Sequence, residues 1–485
     1  MTDRDLEVTE TVNPKQRSRQ PGLRLPPPSF VPPLDPGFRP AVLANRAFLQ
    51  GVEASGSGVP LVIGLERADG SLSRFETRVF PNGHPRAEEN LYYAERIVKF
   101  LLWQRGGWKV YVGAPKSIGA YIKKQYRADG ERSFDYNFMG PTIYQKPFTV
   151  VPCDAGEVPA EQERTRALGR HLDGYRIGFD LGASDLKVSA VVNGEAIFSD
   201  EIVWEPVAQA DPQYHYDQIT SALKIAMSKI PRLDAIGGSS AGVYVDNRPM
   251  VASLYRGIPE ERFDEIRNMF LRIREQFGVP LEVVNDGEVT ALAGSISLGE
   301  NRILGIAMGS SEAAGYVNAE GNITGWLNEL AFAPVDYSPD APVDEWSGDK
   351  GIGALYFSQQ CVFHLAPRAG IELPRDITQA ARLKVAQERL EAGHRGAVQI
   401  WQTMGAYLGY ALAHYAAFYP LKHVLILGRC TSGTGGPLML EGAKQVLAGE
   451  FPELATTINL QLPDEKSRRV GQSIAAASLP ALGPG

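Results

Sequence analysis

The sequence predicts an α/β protein of more than one domain, and three observations carry that prediction. Short apolar runs alternate with longer segments whose apolar residues recur at helical spacing. Glycine-rich or Asx-containing turns follow several of the short runs, at the strand ends where open α/β sheets bind ligands. The chain of 485 residues, 44% hydrophobic and 22% charged, is too long for one core; at about 150 residues per domain it suggests two to four.

Residues 1–40 are the exception to this pattern. Pro14, Pro21, Pro26, Pro27, Pro28, Pro32, Pro33, Pro36 and Pro40 remove the backbone donors a helix needs, so the segment reads as an extended arm with no helix-turn-helix. It is open between a strap across a neighbouring surface and a disordered leader. From residue 41 a globular region begins. Val59–Leu65 and Phe75–Phe80 are strand-like around an Ala68-Asp69-Gly70 turn, Asn90–Gln104 is helical up to Gly106-Gly107, and Trp108–Val112 is a strand. Tyr111–Ser117 reads as a structural Gly-Pro turn. Glycine, proline and charge gather over 128–170, which sets a boundary between a domain at 41–170 and the remainder of the chain.

The next segment repeats the order. Strands are predicted at Arg176–Asp180 and Lys187–Val192, with an Asn193-Gly194 turn before Ala196–Trp204, then a helix at Tyr216–Lys229 and a strand at Asp234–Gly238. Strand, strand, helix, strand thus occurs twice, which suggests a duplicated unit. Beyond it come a helix at Glu260–Phe277, a strand at Leu281–Asn285 and a helix at Asp286–Leu298. Strands Ile303–Met308 and Ala313–Val317 come next, then helices near Asp349–Leu365, Asp376–Ala392 and Val398–Phe418. Strand His423–Leu427 and helix Leu438–Ala448 complete the pattern.

Composition excludes several function classes. The formal charge is −7, from 49 basic and 56 acidic residues, so there is no basic surplus of the kind that neutralises nucleic-acid phosphates. Cys153, Cys361 and Cys430 lie far apart, which excludes a disulfide framework and a cysteine-rich zinc site. His84, His215, His364, His394, His414 and His423 are scattered without metal-ligand spacing. No run approaches the ~18 apolar residues of a membrane span and Met1–Leu25 has no apolar signal core, so the expected location is cytoplasmic.

Four segments carry chemistry. In Ile177–Lys187 an apolar strand ends at Asp180, and the small turn Gly182-Ala183-Ser184 lets backbone N–H groups approach a phosphate. Asp180 is placed to hold the water shell of a magnesium ion and Lys187 to offset phosphate charge. In Val283–Glu288 a strand runs straight into a helix through Asn285-Asp286, either a plain cap or a carboxylate that takes a hydroxyl proton during phosphoryl transfer. Gly309-Ser310-Ser311 is a short loop suited to a second phosphate, with Glu312 an awkward neighbour. Leu425–Gly436, with Gly428, Arg429 and Gly433, leaves a flat backbone surface for a base and ribose; it is neither GxxxxGK[ST] nor GxGxxG.

In order and spacing these segments resemble the sugar kinases of the actin-like ATPase superfamily, specifically the ROK family (repressors, uncharacterised frames and kinases), over about Tyr175–Ala477. The resemblance implies a two-lobed actin-like (ribonuclease H-like) fold, lobes at 171–285 and 286–485, with 41–170 as an added α/β domain. It implies an ATP- and magnesium-dependent kinase acting on a hydroxyl of a sugar or sugar-like polyol, with Asp286 as base and Asn285 contacting the sugar. Glu329 and the glycine loop holding Ser239, Ser240 and Gly242 are the implied sugar contacts. A homodimer is also implied.

The sequence departs from the family in three places. Phe332 stands where Gly-Glu-x-Gly-His has its histidine, and a phenyl ring neither ligates zinc nor bonds a hydroxyl. Trp346–Gly353 lacks the family's cysteine cluster, so no zinc is expected. Arg256 replaces an asparagine before Ile258-Pro259; it is open between a surface ion pair with Glu260 or Glu261 and contact with an acidic or substituted polyol. The alternative to a kinase is a non-catalytic sugar sensor or scaffold on the same fold; a water-using ATPase of the superfamily would need neither Glu329 nor the Asn285-Asp286 pair.

Overall fold

The computed structural model describes residues 22–163, 168–463 and 465–482, the side chains of 465–470 excepted. The part of the proline-rich arm before residue 22 lies outside them. Residues 22–40 run without a helix across the protein's own surface. Backbone N–H groups donate from Phe30 to the Tyr410 hydroxyl at 3.1 Å, from Leu34 to Thr403 Oγ1 at 3.2 Å and from Arg39 to Asp336 at 2.9 Å. Prolines keep this segment from making its own hydrogen bonds, so the remaining donors are met by side chains beneath it. The arm is a strap.

The N-terminal module comprises α1 (Ala41–Ala54), β1 (Val59–Glu66), β2 (Leu72–Val79), α2 (Glu89–Arg105), β3 (Lys109–Gly113), α3 (Lys116–Gln125), α4 (Ser133–Asn137) and β4 (Thr149–Cys153). A π-helical turn, Phe138–Tyr144, precedes β4. Its sheet has the order β2-β1-β3-β4, and β3 runs antiparallel to β1. That corrects the suggested duplication: the corresponding strands of the next unit are parallel. Lys116 and Ser117, read as the end of a turn, begin α3.

The first lobe contains β5 (Tyr175–Leu181), β6 (Asp185–Val192), β7 (Glu195–Val203), α5 (Pro212–Met227), β8 (Ala235–Ser240), β9 (Val243–Val245) and β10 (Arg248–Val251). The expected helix over 260–277 is broken into a short 3-10 turn, α6 (Phe263–Arg267) and α7 (Met269–Phe277), before β11 (Leu281–Asn285). The sheet order is β11-β8-β5-β6-β7, with β5, β8 and β11 parallel and β6 and β7 antiparallel.

From β11 the chain passes directly into α8 (Asp286–Leu298) and the second lobe: β12 (Ile303–Met308), β13 (Glu312–Val317), α9 (Gln359–Leu365), α10 (Gln379–Glu391), α11 (Arg395–Tyr415), β14 (His423–Leu427), α12 (Gly435–Glu450), α13 (Pro452–Ala455) and β15 (Asn459–Gln461). The stretch 349–358, expected to be helical, is irregular apart from one 3-10 turn at Gly353–Leu355. This sheet, β13-β12-β14-β15, repeats the plan of the first lobe: an antiparallel hairpin, then parallel strands added beside its first member. Two such lobes joined through α8 are the actin-like ATPase fold.

Packing redraws two of the expected domain limits. The last helix, α14 (Glu465–Ala477), returns to lie on β5, β8 and α8, so the C-terminus closes the first lobe. The N-terminal module has no core of its own; Phe48, Leu101 and Trp103 belong to one continuous apolar core with Tyr316, Trp401 and Leu412 of the second lobe. Its π-helical turn also touches β9 and β10 of the first lobe. No helix among the described residues is long and apolar enough to cross a membrane.

Candidate functional site

Register brings the predicted residues together. In the first-lobe sheet Asp180 pairs with Ser239, and Ser240 with both Leu181 and Asn285, so the ends of three parallel strands converge. Side chains there are committed to one another. Ser239 Oγ donates to Asp180 at 2.6 Å, and the Tyr244 hydroxyl donates to Ser240 Oγ at 2.6 Å. Asn285 caps α8, its Oδ1 accepting from Gly287 N at 2.7 Å, while its Nδ2 donates to the Gly242 carbonyl at 2.8 Å. The cap and the functional reading of Asn285-Asp286 are therefore compatible: the cap fixes where Asp286 begins the helix.

Asp286 stands at the seam between lobes. The first turn of α8 lies against β13 through two glycines: a Cβ on Gly315 would fall 2.2 Å from the Gly287 carbonyl oxygen. Burial, and then the charge of Asp180, raises the Asp286 pKa to about 6. Asp180 is itself raised by burial, against the Ser239 bond and the charge of Lys187. Glu329 is raised to about 7 by burial and then by Asp286. These half-buried carboxylates form one electrostatically coupled line facing the cleft.

Glu312 belongs to that line and not to the phosphate loop. Strand alternation sends it to the same face of β13 as Ala314 and Tyr316. There it is 3% exposed, with both carboxylate oxygens lacking a hydrogen-bond partner. Burial and then Glu329 push its pKa up to about 8. It is not the obstacle to a polyphosphate that the sequence suggested. Glu288, also raised to about 8 by burial, had no signal beyond its place in the first turn of α8; Asn328 Nδ2 donates to it at 3.2 Å.

The phosphate and nucleotide segments lie at the corresponding strand ends. Ala183 and Ser184 are exposed at the tip of the β5–β6 turn, closed by Gly182 N donating to the Asp185 carbonyl at 2.9 Å. Lys187 is cross-strand from Asp180 and 3.3 Å from Asp185. Ser310 and Ser311 are exposed beyond β12, whose neighbour β14 ends at Gly428. Gly428 has φ of 100°, and a Cβ there would sit 2.5 Å from the Met308 carbonyl, so only glycine lets the two turns adjoin. Glu391 of α10 accepts from Thr434 N at 2.8 Å and pins the Gly433 turn. Gly428, Arg429 and Ser432 line a cavity with Thr290 and Gly294 of α8, Leu425 of β14 and Leu462. Arg256 is not brought in. It is exposed after a short 3-10 turn and makes no ion pair with Glu260 or Glu261.

Phe332 packs against the N-terminal module. Its ring meets Trp103, Phe134, Phe138 and Trp346. Beside it, Trp103 and Gln104 at the end of α2 accept backbone hydrogen bonds from Glu329 N and Asn328 N, each at 2.9 Å. Asn328 holds φ of 51°, the left-handed conformation that asparagine tolerates better than most residues. Asp349, in the stretch corresponding to the cysteine cluster, is met by Arg132 at 2.8 Å and by Arg96 and Lys99 at 3.1 Å each.

Donors of this kind suit a magnesium ion held through water. Asp180 and Asp286 are two carboxylates whose mutual repulsion a dication would relieve. Among the described residues no group of three or more ligand-type side chains is close enough to bind a metal directly.

The fold and site define a two-lobed actin-like protein with a carboxylate at the junction of its lobes. No family model and no curated protein matches the chain. Solved structures similar to it are ROK-family proteins. One is a ROK hexokinase from Thermus thermophilus, 16% identical, with a TM-score of 0.49 over 62% of this chain and 97% of that one. A ROK-family glucokinase from Streptomyces griseus, solved with glucose and AMPPNP, is 17% identical with a TM-score of 0.45 over 62% and 98%. A ROK-family transcriptional regulator, a homologue of the E. coli MLC protein, is 18% identical with a TM-score of 0.48 over 63% and 78%.

Proposed function

We propose that the protein is a kinase of the ROK type that transfers phosphate from ATP to a hydroxyl of a sugar or sugar-like polyol. The observation that carries this reading is Asp286. It begins a helix at the junction of the lobes, next to Asp180 and Glu329, with a pKa of about 6. A carboxylate so tuned is ionised at neutral pH yet basic enough to accept a hydroxyl proton.

In this mechanism the acceptor hydroxyl donates to Asp286, and Glu329 fixes the ring by accepting from a neighbouring hydroxyl. ATP extends from the Gly428–Ser432 cavity toward the turns at Gly182–Ser184 and Gly309–Ser311, whose backbone N–H groups bind phosphate oxygens. Asp180 would hold a magnesium ion through water, and that ion would supply neutralisation of phosphate charge. The proton passes to Asp286 as the hydroxyl oxygen meets the γ-phosphorus, and positioning and electrostatics account for most of the rate.

The test is ADP release with Mg-ATP across hexoses, amino sugars, sugar acids and inositols. Release that requires one acceptor supports the kinase. If no acceptor stimulates release while a sugar still raises Tm, the sensor reading replaces it; the loss of the family histidine at Phe332 is the feature that favours that alternative.

A further inference from the structure

Beside Asp286 lies a cavity of whose lining the sequence motifs announced only Gly242 and Asn285. Its enclosed volume is about 130 Å³. Three parts of the chain build it: Arg67–Asp69 and Tyr144 of the N-terminal module, Gly242–Asn247 and Glu282–Asn285 of the first lobe, and Glu288 with Ile323–Leu327 of the second. Asn285, bonded to Gly242, lines it and immediately precedes Asp286 in the chain.

Its polar chemistry is unfinished. Thr324 is 9% exposed, and its Oγ1 has no hydrogen-bond partner although it lines the cavity. Glu288, 7% exposed, is met by Asn328 at one oxygen only; raised to about 8, it is a proton donor at neutral pH. Arg67 is engaged by Ser73 and Glu163, and Asp69 by Ser71. Tyr144, Tyr244 and Trp326 supply aromatic surface. Flat aromatic faces with a few fixed hydroxyl and carboxyl groups suit a pyranose ring, whose C–H face is apolar and whose rim is hydroxylated.

We propose that this cavity is a specificity subsite for a second sugar ring, joined to the ring that is phosphorylated, and that the N-terminal module completes it through Tyr144. The acceptor is then a disaccharide or longer glycoside. The inference rests on reading the Asp286 cleft as the acceptor site. It assigns the added module a place in substrate choice.

Calorimetric titration of the full chain with glucose, maltose, cellobiose and lactose tests it, alongside ADP release. At least one disaccharide binds about tenfold or more tighter than glucose. Tyr144→Ala and the near-isosteric Thr324→Val each remove most of that advantage and leave glucose affinity unchanged. Glucose binding as tightly as every disaccharide, no disaccharide binding at all, or both variants leaving disaccharide affinity intact overturns the subsite. Disaccharide binding that needs Tyr144 but gives no ADP release keeps the subsite and removes the kinase. ADP release with glucose alone, with no disaccharide preference, does the reverse.

Discussion

The Phe332 ring lies 4.2 Å, centroid to centroid, from the Trp103 ring. One residue belongs to the turn that carries Glu329, the other to α2 of the N-terminal module. Phenylalanine at 332 therefore has a local reason: the position is part of an apolar joint between the module and the second lobe. Phe134, Phe138 and Trp346 complete that joint.

Phe332→Ala is expected to cost about 3–5 kcal/mol, the range for losing a buried aromatic ring. The denaturant midpoint reads this directly. Phe332→His, which installs the histidine of the ROK pattern, is expected to bind no more zinc than the parent, since Trp346–Gly353 holds no cysteine. A zinc titration showing one new tight site would contradict that account.

The second fastening is ionic. Arg96, Lys99 and Arg132 balance Glu95, Asp135 and Asp349 in a buried network. Burial alone would raise the Asp349 pKa; Arg96, Lys99 and Arg132 override it and hold it well below the usual value. A depressed carboxylate contributes stability that is full above its unfolded pKa and is lost as pH falls through the folded value. Asp349→Asn is expected to cost about 3–5 kcal/mol at pH 7, with the gap to the parent narrowing toward pH 2. An equal gap at both pH values counts against the network.

Glu312 has the opposite sign. Its folded pKa of about 8 lies above the unfolded value of 4.5, so its contribution is fully present below pH 4.5 and is lost as pH rises toward 8. Glu312→Gln is expected to stabilise the protein by about 1–3 kcal/mol at pH 8, the cost of an unsatisfied buried group, and to be nearly neutral at pH 4.5. Melting curves at the two pH values decide; a variant less stable at pH 8 sinks the argument.

What could be read from the sequence was local. β11 and α8 were bounded correctly because an apolar run passes straight into the Asn285-Asp286 pair, and β14 because its apolar run ends in glycine. α3 was missed because Gly113 and Pro115 dominate its start, and the break at Asn268 in the helix expected over 260–277 left no mark in the apolar periodicity. Two features of the site depend on distant pairing and left no local trace: the partner of Phe332 and the bond from Asn285 to Gly242. Glu312 was noticed, but only strand alternation shows which way it points.

The most direct test of the central claim is acceptor-dependent ADP release by Asp286→Asn, with acceptor affinity measured in parallel. Removing a general base costs about 10²–10⁴-fold in rate. The account predicts a loss of at least about 100-fold in kcat with acceptor binding retained, and a parent rate that rises with pH through about 6 to a plateau. An Asp286→Asn protein that turns over near the parent rate would show that another group takes the proton, and the reading of the cleft would fall with it.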